Sequence, residues 1–140
     1  MSEWVLQGVA GRIAIKRFKN LSDSDADKIL SRAKFYYGRP YDFYFLFDKE
    51  AIYCSELVYY AFEEGAQISL GNIERVGDLR TQSTAVKNLI KERWKSYPIC
   101  LDQGVDSYEG CYDIVMNQNL ITPSSVAEDS RLEIIYSNYY

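Results

Sequence analysis

Apolar and polar residues along the chain change period several times, and each change predicts an element. Trp4 to Ala10, a Gly11-Arg12 turn signal, and Ile13 to Phe18, where Ile13, Ile15 and Arg17 alternate with Ala14, Lys16 and Phe18, predict a β-hairpin. Ser22 followed three residues later by Asp25 forms an approximate capping box. A helix is predicted from there to about Tyr37, burying Ala26, Ile29, Leu30, Ala33 and Tyr37. Gly38 stops it and Pro40 forbids its continuation. The aromatic stretch from Tyr41 to Phe47 is too short for periodicity to decide and reads as an extended segment beneath a cleft. After the polar turn Asp48-Lys49-Glu50, a second helix is predicted from about Cys54 to Glu63, with Leu57, Val58, Ala61 and Phe62 inward and Gly65 ending it. Gln67 to Thr81 reads as loop. A third helix is predicted over Gln82 to Lys95, with Val86, Leu89, Ile90 and Trp94 as its core face. Ser96 to Gly110 reads mainly as loop, Tyr112 to Asn117 as a strand, Thr122 to Ser125 as a short helical turn, and Leu132 to Tyr136 as a closing strand. Mixed elements in this order predict an α+β fold, a small antiparallel sheet with helices packed on it.

Composition narrows the classes. The 140 residues, 47% of them hydrophobic and 26% charged, suit one folded domain over residues 1–140 rather than a disordered or fibrous chain. A net charge of -4 has the wrong sign for a phosphate-backbone binder, so nucleic acid is not an expected partner. No apolar run reaches the roughly 18 residues of a membrane span, and the N-terminus lacks the pattern of a secretory signal. A cytoplasmic location is the default, with the cell envelope open if sequence precedes Met1. Cys54, Cys100 and Cys111 form neither a zinc-ligand pattern nor a disulfide framework, although a bridge between Cys100 and Cys111 is open, and no metal or cofactor is expected. Two features change the picture: thirteen tyrosines supply rings with polar tips, and the absence of histidine removes the commonest general base near neutral pH.

Tyr53-Cys54-Ser55-Glu56-Leu57-Val58 places a cysteine in the first turn of a helix, where unsatisfied backbone N–H groups and the helix dipole favour the anionic nucleophile. The competing reading is a small cysteine packed against the helix it opens. Together with Gly38-Arg39-Pro40-Tyr41-Asp42 upstream, and more weakly with Leu120-Ile121-Thr122-Pro123, this motif resembles the circularly permuted papain-like amidases of the NlpC superfamily, the YiiX-like group. The resemblance implies a cysteine peptidase or amidase cleaving an amide bond such as those of peptidoglycan peptides, or an acyl bond, with Cys54 as nucleophile. It implies that Gln7 occupies the position orienting a catalytic histidine, and that Tyr41, Asp42, Tyr53 and Glu56 hold substrate-binding, cleft-lining or structural positions. It also implies a histidine segment with no counterpart here, which two explanations fit: an N-terminally incomplete domain, or a domain that has lost its base and now binds or scaffolds.

Carboxylates near Cys54 in sequence, Asp42, Asp48, Glu50 and Glu56, are poor substitutes for that base because like charge disfavours a thiolate. Lys49 and Arg39 read as solvated turn charges. The alternative function is an inactive relative that binds a peptide, glycan or lipid in an aromatic cleft around Tyr41, Phe43, Tyr53 and Tyr59. An exposed sheet edge would offer self-association.

Overall fold

A computed structural model describes residues 11–79 and 84–139. Among them the chain forms β1 (Ala14–Phe18), α1 (Asp23–Phe35), α2 (Cys54–Ala66), β2 (Ile73–Arg75), α3 (Thr84–Arg93), α4 (Pro98–Asp102), α5 (Tyr108–Asn117), β3 (Asn119–Ile121), α6 (Pro123–Ala127) and β4 (Leu132–Ser137). The α+β expectation holds, but the sheet is divided into two antiparallel pairs, β1 with β4 and β2 with β3. The Trp4 to Ala10 arm of the predicted hairpin lies outside the described residues. Within them, β1 takes the distant closing strand as its neighbour, with a register shift between Ile15 and Lys16.

Helix α1 begins where its cap predicts: the Ser22 hydroxyl accepts from the Asp25 N–H at 3.1 Å and donates to the Asp25 carboxylate at 2.8 Å. Asp23 and Asp25 in its first turn and Arg32 and Lys34 in its last complement the helix dipole. It stops at Phe35. Leu30 and Tyr37 are exposed, whereas Ile29 and the capping residue Tyr36 are buried. The predicted apolar stripe was too wide because α1 packs chiefly on one neighbour, α2.

The α1–α2 crossing explains Gly65. This residue does not end α2; it lies within the helix, and a Cβ there would sit 2.8 Å from the Ile29 Cα. The backbones approach so closely that only hydrogen fits. Helix α2 ends instead at Gln67, which adopts the left-handed conformation with φ of 59°.

The second half of the chain departs most from expectation. Tyr112 to Asn117 is helical, the end of α5, because Ser107 caps that helix by accepting from the Gly110 N–H at 3.2 Å, and Cys111 and Val115 meet the core one turn apart. Ser96 to Gly110 contains α4, with Pro98 in its first turn. The stretch expected to be loop after Gln67 contributes β2. Cys100 and Cys111 are joined in a disulfide and sit in a cluster with Ile90, Tyr97 and Val115.

Candidate active site

Helix α2 carries Cys54 at its first position, as a free and exposed cysteine. Two neighbours anchor this end of the helix to one residue of β3. The Ser55 hydroxyl donates to the Ile121 carbonyl at 2.8 Å, and the Tyr53 hydroxyl accepts from the Ile121 N–H at 3.0 Å. Ile121 is fully buried, so both of its main-chain polar groups find partners in the start of α2. This pins Cys54 close to the β3–α6 junction.

Beside the thiol lies a cavity of about 310 Å³, lined by Ala14, Lys16, Cys54, Ser55, Val58, Pro123, Val126, Ala127 and Leu132. Its walls come from β1, α2, α6 and β4. The polar side chains in them are engaged within the protein: Lys16 donates through its ammonium to the Ala127 carbonyl, and Ser55 is bonded to Ile121. What the cavity offers a ligand is therefore an apolar wall with the exposed Cys54 sulfur at its edge.

The other predicted site residues separate into exposed and buried. Tyr41 is half exposed and lies in the electrostatic field of Cys54; burial pushes its phenol pKa up, and the Cys54 and Asp42 charges push it further. Asp42, Tyr53 and Glu56 are buried. Asp42 accepts from the Tyr44 N–H at 2.7 Å, and Glu56 accepts from the Tyr53 N–H at 3.4 Å. Burial raises the Glu56 pKa to about 7, aided by the charges of Asp42 and Asp48 and partly offset by the Tyr53 and Lys49 amides. Burial also raises the Asp42 pKa, against the amides of Tyr44, Leu46 and Phe45. Gln7 lies outside the described residues.

The aromatic cleft does not form as expected. Tyr53 is buried edge-on against Phe45, Tyr59 packs on Phe47, and only Tyr41 and Phe43 remain as an exposed pair, with rings 5.1 Å apart. Arg39 and Lys49 are not free turn charges. Arg39 donates to the Lys49 carbonyl and lies over the Tyr36 ring at 4.6 Å, while Lys49 pairs with Glu64 at 2.5 Å.

Sequence reasoning missed Gln118, Val126 and Leu132. Gln118 is buried and donates its amide to the carbonyls of Tyr44 and Phe45 at 3.1 and 2.5 Å, tying the segment before α2 to the approach to β3. The contact spans more than 70 positions, so no local motif announces it.

Comparison with known proteins agrees with the fold. A family model for the permuted papain-like amidase enzymes, YaeF/YiiX, matches residues 1–136. The uncharacterized protein YiiX of Escherichia coli is 29% identical over 115 residues, covering 81% of this chain and 56% of YiiX. The chain thus spans little more than half the length of that relative. The crystal structure of metalloprotein yiiX from Escherichia coli superposes with a TM-score of 0.79 at 22% identity, over 99% of this chain and 68% of the other.

Proposed function

This chain belongs to the permuted papain-like amidase family, and from that premise we propose that it is a thiol hydrolase domain acting on carbonyl compounds with an apolar acyl group. The observation that carries the reading is the free Cys54 at a helix N-terminus, opening on an apolar cavity. In the proposed step the Cys54 sulfur, as thiolate, bonds to the carbonyl carbon, and the developing oxyanion is met by main-chain N–H groups at the start of α2. The bond to the leaving group then breaks, leaving an S-acyl enzyme. Water attacks the thioester, releases the carboxylic acid and restores the thiol.

Protonation decides which leaving groups this chain can handle. An amide nitrogen departs only when protonated, and the chain contains no histidine to supply that proton. A thiolate or phenolate leaves without such help. The apolar wall favours an acyl chain over the charged stem peptides of peptidoglycan. The absence of histidine gives weight to a second reading, in which the same cavity binds an apolar group without turnover.

The test uses p-nitrophenyl octanoate, with intact-protein and peptide mass spectrometry. One octanoyl group on Cys54, absent in Cys54→Ala, is expected. Nitrophenol release that is unchanged in Cys54→Ala, with no adduct on Cys54, would reject the hydrolase reading and leave binding.

A further inference from the structure

Immediately before α2, residues 41–53 follow an irregular path that crosses the start of the helix, with Phe45 and Lys49 in left-handed conformations at φ of 55° and 71°. Non-glycine residues adopt that conformation at a cost, so the surroundings must hold it. The ends of the segment are joined where Ile52 N–H donates to the Pro40 carbonyl at 2.9 Å and Asp42 N–H donates to the Ile52 carbonyl at 3.4 Å. Within this closed loop sit two buried carboxyl groups, Asp42 at its start and Glu56 just beyond its end, in the helix. Each uses one oxygen to hold a loop amide, Asp42 that of Tyr44 and Glu56 that of Tyr53. The other oxygens, Asp42 Oδ2 and Glu56 Oε1, are buried without a hydrogen-bond partner among the described residues.

We infer that Asp42 and Glu56 are positioning residues, a buried carboxyl pair that fastens the 41–53 segment across the start of the Cys54 helix and so holds Tyr41 beside the thiol. The role given to Tyr41 and Cys54 rests on the hydrolase reading; the fastening itself does not. Burial disfavours the ionised form of Glu56, and the charges of Asp42 and Asp48 add to this, so the fastening holds best while Glu56 keeps its proton and weakens when it loses it.

The groups facing Glu56 offer no compensating cation. Asp42 and Asp48 from the loop act on it with like charge, and Tyr53 and Tyr60 from its own helix are uncharged phenols at neutral pH. Lys49 is committed to Glu64, Arg32 to Glu64 as well, and Arg39 donates to the Lys49 carbonyl. Ionisation of Glu56 therefore adds a buried negative charge that the Tyr53 and Lys49 amides offset only in part and that no cation among the described residues pairs.

Hydrogen exchange tests the inference without calling on Cys54 chemistry. After correction for intrinsic exchange, amide protection in peptides covering residues 41–53 should fall at least tenfold from pH 6 to pH 8 in the wild type, and less than twofold in Glu56→Gln. Equal protection at both pH values in the wild type, or an equal fall in the variant, overturns it. If Glu56→Gln does not fold, Glu56→Met takes its place, since it too cannot ionise and should likewise change less than twofold. In parallel, octanoyl transfer to Cys54 is followed over the same pH range. The ratio of the Glu56→Gln rate to the wild-type rate should rise at least threefold above pH 7, and a flat ratio overturns the positioning role. No transfer in either protein at any pH rejects the hydrolase reading, and the exchange result then decides the fastening by itself.

Discussion

Replacing Glu56 with glutamine should make stability less dependent on pH, and the size of the effect follows from its surroundings. The carboxyl is fully buried, and its pKa is raised from the usual 4.5 to about 7. Below pH 4.5 the group is protonated in both the folded and the unfolded chain and contributes no pH dependence. Between pH 4.5 and 7 the folded protein keeps a proton that the unfolded chain releases, so stability falls as pH rises. Above pH 7 the loss is complete. A displacement of this size corresponds to about 3 kcal/mol. Glutamine keeps the shape and an oxygen for the Tyr53 N–H but cannot ionise; against this, imperfect pairing of its NH2 costs about 1 kcal/mol. Urea denaturation under non-reducing conditions, followed by circular dichroism at pH 5, 6, 7 and 8, gives the difference between variant and wild type directly. The variant should gain about 2–3 kcal/mol relative to the wild type between pH 5 and pH 8. A difference that does not change with pH would refute the claim that Glu56 is held protonated by its burial.

Three further outcomes follow from individual contacts. Gly65→Ala should destabilise by about 1–3 kcal/mol in thermal unfolding, despite the better helix propensity of alanine, because the new methyl meets the Ile29 backbone. Reduction of the Cys100–Cys111 bridge, which closes a loop of sequence separation 11, should cost about 3 kcal/mol by urea titration with and without reductant. Burial works against the charge of Glu64, but hydrogen bonds from Arg32, Lys49 and Tyr36 outweigh it and hold its pKa at about 2. Its contribution is present above pH 4.5 and lost as pH falls toward 2, so Glu64→Gln should be less stable than the wild type by about 1–3 kcal/mol at pH 7, with the gap closing in acid denaturation.

Local rules made the Cys54 end of the fold legible. Ser22 and Asp25 announce α1, the Gly38-Arg39-Pro40 stop bounds it, and the cysteine at a helix start points to the candidate site. What stayed hidden depends on contacts distant in sequence. Gly65 looks like a stop signal until Ile29 is brought against it. Tyr112 to Asn117 looks like a strand because the Ser107 cap lies outside the apolar run. The cavity beside Cys54 could not be read at all, since its walls are drawn from four elements that meet only after β1 pairs with β4. Glu56 was legible as a motif residue, but its burial and its unpartnered oxygen are properties of the packed chain.

The cavity itself can be tested through Val58, which lies one helical turn beyond Cys54 on the same face of α2 and lines the apolar wall. Val58 is 36% exposed, so a polar replacement there should leave the fold intact. Glutamine is preferred to glutamate because it adds no charge near the sulfur. If an acyl chain lies against this wall in the reaction, an amide in its path loses apolar contact and is itself partly desolvated, at a combined cost of about 1–3 kcal/mol. Transfer from p-nitrophenyl octanoate to Cys54 should then slow by roughly 10- to 100-fold. Transfer from p-nitrophenyl acetate, whose acyl group is too short to reach Val58, should change less than threefold, as should alkylation by iodoacetamide. Equal slowing of all three reagents would mean that Val58 acts on the sulfur or the helix rather than on the acyl chain. No slowing of any would place the acyl chain outside this cavity, and the preference for apolar substrates would lose its physical basis.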